Sequence, residues 1–165
     1  MAYNENILVK KPHSKTKYTE EQLNELEKCM DLEVGPLYFM SHHIQIQHPV
    51  RGQIQFLPYD YQEELIHVYN SYRFSINMLS RQLGKTTCAA GYLLWFAMFK
   101  PDSTILIAAH KYDGSQEIMQ RVRYAYEHVP DFIRSGAVSY NKGSIDFDNG
   151  SRILSTTTTE NTGRG

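Results

Sequence analysis

Three consecutive residues, Gly84, Lys85 and Thr86, have the clearest potential for chemistry in this chain. Glycine lets the backbone approach an anion closely because it has no Cβ, and the N–H groups at the start of a following helix point at that anion. The lysine would place a positive charge on the β- and γ-phosphates of a nucleotide, and the threonine hydroxyl would bind Mg²⁺. The triplet therefore predicts a phosphate-binding loop with ATP and Mg²⁺ as its ligands.

The complete loop motif is not met, since Leu79 stands where the motif has its first glycine. A bare Gly-Lys-Thr triplet also occurs by chance where a loop meets a helix. The flanking segments favour the phosphate-binding interpretation. Residues 74–79 are largely apolar and predict a buried strand directly before the loop, and residues 85–99 predict a long helix directly after it.

The elements after the loop follow an α/β pattern. The helix at 85–99 is apolar on nearly all sides, which predicts burial in the core. Residues 104–109 form a continuous apolar run, which predicts a central parallel strand covered on both faces. A helix should follow and end at Pro130. Short strands joined by Gly-containing turns are predicted near residues 137–140, 144–147 and 151–155.

The segment before the loop has weaker signals. Thr19 and Gln22 form a capping-box pattern that predicts the start of a helix, and Gly35-Pro36 should interrupt the chain. Alternating residues at 44–47 and 53–56 predict two short strands joined by a turn. A further helix should begin near Asp60. Three histidines in this region lack the spacing of a metal site, so metal binding is disfavoured there: His42, His43 and His48.

Composition excludes several classes of protein. The 165 residues have a net charge of −1 and an ordinary apolar content, without the basic excess of a dedicated DNA-binding domain. The two cysteines are far apart, which favours reduced thiols over a disulfide framework. The longest apolar run, residues 88–99, is too short to span a bilayer, and the N-terminus has no apolar stretch typical of a signal peptide.

Taken together, the motifs resemble the N-terminal ATPase domain of the large terminase subunit of tailed phages, most closely the T-even-like type. The resemblance covers about residues 56–165, and that family's loop also departs from the first glycine. The matching motifs are residues 59–62 (Tyr-Asp-Tyr-Gln), 79–87 (Leu-Ser-Arg-Gln-Leu-Gly-Lys-Thr-Thr), 107–111 (Ile-Ala-Ala-His-Lys), 129–132 (Val-Pro-Asp-Phe), 140–145 (Tyr-Asn-Lys-Gly-Ser-Ile), 148–151 (Asp-Asn-Gly-Ser) and 164–165 (Arg-Gly).

The resemblance implies roles for individual residues. Gln62 would recognise adenine, although its position alone favours an ordinary glutamine in the first turn of a helix. Arg81 would be a sensor or an arginine finger within the subunit, and Arg164 a finger for a neighbouring subunit's γ-phosphate. Lys85 would contact the phosphates and Thr86 would hold Mg²⁺. The nucleotide-binding loop would comprise Ser80, Arg81, Gln82, Leu83, Gly84, Lys85, Thr86 and Thr87.

The fold implied is that of a P-loop NTPase of the RecA/ASCE-like type, with a mostly parallel sheet flanked by helices. Residues 1–55 would form an arm and a lid-like region, and residues 56–165 an incomplete ATPase core that stops before the second acidic motif. The complete protein would couple ATP hydrolysis to packaging of phage DNA into the procapsid, in the host cytoplasm and without a membrane. Its partners would be double-stranded DNA, the portal protein, the small terminase subunit and other large subunits.

The expected aspartate and glutamate of the second acidic motif, and a nuclease domain, are not among the 165 residues. A split gene, an intervening element or a truncated sequence would each account for this. The isolated chain should therefore bind ATP weakly and hydrolyse little of it. Two alternatives stay open at this point: a fragment of a superfamily 2 helicase or translocase, and a fragment that keeps the fold without chemistry.

Overall fold

The computed structural model describes residues 8–158, which form a mixed α/β arrangement of five helices and two sheets. The helices are α1 (Glu20–Met30), α2 (Gly35–His43), α3 (Asp60–Ser71), α4 (Lys85–Phe99) and α5 (Tyr112–His128). The strands are β1 (Gln45–His48), β2 (Gly52–Gln55), β3 (Thr104–Ala109), β4 (Ala137–Tyr140), β5 (Ser144–Phe147) and β6 (Arg152–Thr157).

The larger sheet has the strand order β3-β6-β5-β4 and is mostly antiparallel. Only β3 and β6 run parallel, while β6 with β5 and β5 with β4 are antiparallel pairs. The prediction of a mostly parallel sheet is therefore wrong for the described residues. The reason is the length of the connections: β4, β5 and β6 follow one another through tight turns, which join antiparallel neighbours, whereas a parallel pair needs a long crossover.

Strand β3 forms where it was predicted but lies at one edge of this sheet, not at its centre. Ile105 and Ile107 are buried, whereas Leu106 between them is 44% exposed. The prediction of a central strand covered on both faces is thus wrong in both respects. Helix α5 packs against β3 and β6, and the described residues provide no strand beyond β3.

The strand predicted at residues 74–79 does not form, and this segment has no regular secondary structure. The side chains of Phe74, Ile76 and Met78 are 82%, 95% and 94% exposed, so the predicted burial is also wrong. A strand requires a neighbour to satisfy its main-chain N–H and C=O groups. The two sheets built from the described residues provide no such neighbour for this segment.

Helix α4 confirms its predicted bounds and is the centre of the hydrophobic core. It packs against α2, α3 and α5, and Leu94, Trp95 and Ala97 are fully buried. The indole Nε1 of Trp95 donates a hydrogen bond of 2.7 Å to the carbonyl oxygen of Cys29, which ties α4 to the end of α1. The helix that follows the loop is therefore anchored firmly at its far end.

The N-terminal elements confirm some predictions and correct another. The capping box at the start of α1 is present: the Gln22 N–H donates to the Thr19 hydroxyl, and the Thr19 N–H donates to the Gln22 side chain. Strands β1 and β2 form the predicted antiparallel hairpin. Residues Gly35 and Pro36, however, begin helix α2 instead of breaking the chain. Proline suits the first turn of a helix because the N–H that it lacks has no partner there.

Both cysteines, Cys29 and Cys88, are free and buried. Burial raises the pKa of the Cys29 thiol to about 12 and that of the Cys88 thiol to about 11. Both side chains therefore act as apolar core residues and stay protonated near neutral pH. As for membranes, none of the helices in residues 8–158 has both the length and the apolar character needed to cross a bilayer.

Candidate nucleotide-binding site

The predicted phosphate loop lies immediately before α4, and its backbone is shaped by two left-handed residues. Gln82 has φ of 66° and Gly84 has φ of 72°, and α4 begins at Lys85. Alternation of left-handed and ordinary backbone turns successive N–H groups towards one side, which creates a concave site for an anion. The first turn of α4 adds its own free N–H groups and the positive end of the helix dipole.

The ammonium group of Lys85 lies over the start of the loop. Its Nζ is 3.3 Å from the carbonyl oxygen of Ser80 and 3.5 Å from that of Leu79, at the long limit for a hydrogen bond. Within the described part of the chain, no carboxylate pairs with it. A phosphate that bound Lys85 would therefore replace only these two weak hydrogen bonds.

Two side chains of α3, Gln62 and Tyr61, form hydrogen bonds with the loop. Gln62 is only 5% exposed, and its Nε2 donates to the carbonyl oxygen of Leu83 at 3.1 Å. Its Oε1 accepts from the N–H of Tyr59 at 3.0 Å, and the Tyr61 hydroxyl also donates to the Leu83 oxygen, at 3.2 Å. Both polar ends of Gln62 are thus occupied by main-chain groups. An adenine base would have to exchange with one of these hydrogen bonds to be recognised by Gln62.

Gly84 packs directly against the side chain of Gln62. A Cβ placed on Gly84 would lie 2.6 Å from Nε2 of Gln62, closer than real carbon atoms approach such a group. Glycine is therefore favoured at this position by the left-handed backbone, and a larger residue would also have to displace the hydrogen-bonded end of Gln62.

The remaining predicted residues are placed as follows. Thr86, in the first turn of α4, is half-buried. Ser80 and Arg81 are exposed in the loop. Arg164 lies outside the described residues. The structure thus brings Gln62 and the loop together.

A contact that the sequence did not reveal reaches Thr87 from α5. Nη1 of Arg121 donates to the Thr87 hydroxyl at 3.3 Å, while its Nη2 forms an ion pair with Glu117 at 2.9 Å. The spacing of Glu117 and Arg121, four residues apart on one helix, predicts their pairing. Nothing in the sequence indicates that Thr87, 34 residues earlier, completes the group.

Two of the three histidines have main-chain hydrogen-bond partners. Nδ1 of His42 lies 2.9 Å from the carbonyl oxygen of Tyr38, and Nδ1 of His48 accepts from the N–H groups of Val50 and Arg51. His43 lies 3.4 Å from a carboxylate oxygen of Glu25, yet burial lowers its pKa. Across residues 8–158, no three His, Cys, Asp or Glu side chains come close enough together to hold a metal ion.

A comparison with known protein families identifies the relationship. The family described as "Terminase large subunit, T4likevirus-type, N-terminal" matches residues 76–165, which is more than half of the chain. The matched region includes the loop, α4, α5 and the four-stranded sheet. Membership in this family supports a role in phage DNA packaging. Because this match covers more than half of the chain, the chain belongs to the T4-like family of terminase large subunits, and the matched part is the N-terminal part of that family.

Proposed function

We propose that this chain is the ATP-binding front portion of a viral terminase large subunit that couples ATP hydrolysis to packaging of phage DNA into the procapsid. The observation that carries the proposal is the loop before α4. Left-handed Gly84, a weakly engaged Lys85 and the free N–H groups of a helix start follow one another within the matched region. This combination is suited to a polyphosphate group.

Each residue has a defined part in this proposal. The N–H groups from Ser80 to Thr87 and the ammonium of Lys85 bind the β- and γ-phosphates, and the Thr86 hydroxyl holds Mg²⁺. Mg²⁺, when bound, would neutralise charge on the phosphate oxygens. Gln62 contacts the adenine after exchanging one of its main-chain partners. Arg81 and Arg164 supply guanidinium groups to the γ-phosphate within and between subunits.

Hydrolysis also requires a carboxylate that orients the attacking water. Among the described residues, the carboxylate linked to the loop region through Arg121 is that of Glu117, and it is already engaged in an ion pair with this arginine. The lack of a general base commonly lowers a rate by about 10²- to 10⁴-fold. We therefore expect the isolated chain to bind ATP weakly and to turn it over slowly.

The wider proposals follow from the family. The complete subunit would adopt a P-loop NTPase fold, with residues 1–55 as an arm and lid and residues 56–165 as part of the ATPase core. It would act in the host cytoplasm on double-stranded phage DNA, together with the portal protein, the small terminase subunit and further copies of itself. The net charge of −1 gives this chain no general attraction for DNA, so the DNA contacts would depend on other parts of the machine.

A thermal-unfolding titration with Mg²⁺-ATP tests the proposal. Binding to the native state at 100 times the dissociation constant stabilises a protein by about 2.7 kcal/mol, so the melting temperature should rise with ATP concentration. Lys85→Ala should abolish the rise. Lys142→Ala, which changes an exposed lysine in the β4–β5 turn, should retain it. Absence of any ATP-dependent shift would leave a fragment that keeps the fold without nucleotide chemistry.

Turnover of ATP by the same proteins tests the second part of the proposal. We expect little hydrolysis by the unmodified chain. Rapid hydrolysis that depends on Lys85 would contradict the inference that a required carboxylate is lacking.

A further inference from the structure

The hydroxyl group of Thr87, in the first turn of α4, accepts a hydrogen bond from Arg121 on α5. A guanidinium group has only donors, so the Thr87 oxygen must be the acceptor in this contact, which spans 3.3 Å from Nη1. A hydroxyl has one hydrogen and two lone pairs. The hydrogen of the Thr87 hydroxyl therefore stays available for another partner, and Arg121 keeps it pointing away from its own guanidinium.

The usual partner of a threonine hydroxyl in a helix is already occupied. Such a hydroxyl commonly donates to the main-chain carbonyl four residues earlier, which for Thr87 is that of Leu83. The Leu83 oxygen accepts instead from Nε2 of Gln62 at 3.1 Å and from the Tyr61 hydroxyl at 3.2 Å, which uses both of its lone pairs. Across residues 8–158, the Thr87 hydroxyl makes no hydrogen bond other than that from Arg121.

The main chain of Thr87 offers a second donor at the same place. The first hydrogen bond of the α4 ladder runs from the Cys88 N–H to the Gly84 carbonyl oxygen at 3.0 Å, so the N–H of Thr87 precedes the ladder. In a helix the Cα–Cβ bond tilts towards the N-terminus, which is the end of α4 that adjoins the loop. Thr87 thus presents an N–H and an O–H where the helix dipole favours an anion.

We propose that Arg121 is a positioning residue of the nucleotide site and that it directs the Thr87 hydroxyl to donate to a phosphate oxygen of the nucleotide. This inference rests on the proposed function, since the phosphate is that of ATP in the loop. Glu117 holds Nη2 of the same guanidinium at 2.9 Å, so its carboxylate fixes Arg121 and balances its charge. Arg121 therefore acts through the orientation of Thr87 and not through a contact of its own with the nucleotide.

A double-mutant cycle on ATP affinity tests this role. The dissociation constants come from the rise of the melting temperature with Mg²⁺-ATP concentration. Arg121→Met removes the donor and should raise the dissociation constant about fivefold, as expected for the loss of one hydrogen bond. Thr87→Val removes the hydroxyl itself and should give a loss at least as large. Arg121→Met should cause no further loss in Thr87→Val, but its effect should persist in Thr87→Ser, which retains a hydroxyl.

A second arginine on α5 provides the matched control. Arg123 also lies near a glutamate four residues away, Glu127, at 4.0 Å, and its guanidinium packs over the ring of Tyr140. Arg123→Met should leave the dissociation constant of ATP unchanged. The side chain of Arg121 is 42% exposed, so Arg121→Met should fold, and urea unfolding without nucleotide checks this.

Phosphorus NMR of bound ATP separates positioning from a merely structural link between α4 and α5. Arg121→Met and Thr87→Val should shift the same phosphorus resonance, whereas Arg123→Met should shift none. Loss of affinity without such a shift would assign a structural role to Arg121 and overturn the proposal. An equal effect of Arg121→Met with and without the Thr87 hydroxyl would also overturn it.

The same titrations distinguish this inference from the proposed function. If ATP raises the melting temperature of the unmodified chain, Lys85→Ala abolishes the rise and Arg121→Met leaves it unchanged, the proposed function stands and the role of Arg121 is wrong. If the unmodified chain shows no rise, the ATP-binding function fails, and the role of Arg121 fails with it.

Discussion

The two ends of α4 differ sharply in how they are held. At its C-terminal end, Leu94, Trp95 and Ala97 are fully buried, and the Trp95 indole is hydrogen-bonded to the end of α1. Before its N-terminal end, residues 74–78 are exposed, and the loop is supported mainly by Gln62 and Tyr61 through a single carbonyl oxygen. One helix thus joins a fully buried part of the core to an exposed segment.

This difference has a physical reason. In the proposed function the loop binds phosphate, and its N–H groups must then stay free instead of being buried in a packed core. Stability must then come from the other end of the same helix. The C-terminal half of α4 fixes the helix axis, and the two α3 side chains fix the loop relative to that axis.

Truncation of Trp95 should give the largest effect. Trp95→Ala removes a fully buried indole and its hydrogen bond to Cys29, and we expect a loss of about 3–5 kcal/mol in the free energy of unfolding. The matched change at the other end, Ile76→Ala, should cost less than about 0.5 kcal/mol, because that side chain is 95% exposed. Urea unfolding measures both. Similar losses in the two variants would show that the two ends of α4 do not differ as described.

Gly84→Ala should lower the free energy of unfolding less than Trp95→Ala does, but it should disturb the conformation of the loop strongly. The left-handed backbone alone costs an L-residue about 1–2 kcal/mol. Gly52→Ala is the control, because Gly52 has nearly the same φ of 71° and open space around its Cα. The extra cost of Gly84→Ala over Gly52→Ala reports the clash with Gln62, and only Gly84→Ala should weaken ATP binding. Equal costs would mean that Gln62 does not press on the loop.

The smallest expected effect is a pH dependence of the free energy of unfolding, caused by His43 at the end of α2. Burial lowers the pKa of His43 below its ordinary value of 6.5, although the nearby Glu25 carboxylate acts in the opposite direction. As the pH falls, His43 is therefore protonated in the unfolded chain before it is protonated in the folded protein. The stability contributed by neutral His43 is lost as the pH falls below about 6.5.

Urea midpoints between pH 7.5 and 5.5 measure this effect. His43→Gln should flatten the profile, whereas His67→Gln, which changes an exposed histidine on α3, should leave it as it is. Gly84→Ala should also retain the slope, since the loop does not contact His43. A profile unchanged by His43→Gln would place the pH dependence elsewhere.

Local sequence determined much of this protein. The bounds of α4, the capping box of α1, the β1–β2 hairpin and the turns between β4, β5 and β6 all depend on residues within a few positions of each other. In the sequence, Gly84 indicates only that the backbone approaches an anion closely, whereas its left-handed conformation and its contact with Gln62 appear in the structure.

Only the tertiary structure decided which elements become neighbours. The largely apolar segment 74–79 predicts a strand, yet a strand exists only where another one accepts its hydrogen bonds, and the described residues provide none. The edge position of β3, the hydrogen bonds of Gln62 and Tyr61 to Leu83, and the contact of Arg121 with Thr87 join residues that are 21 to 48 positions apart. Such pairings depend on the packing of the whole domain, because no local preference specifies which distant surface a side chain will meet.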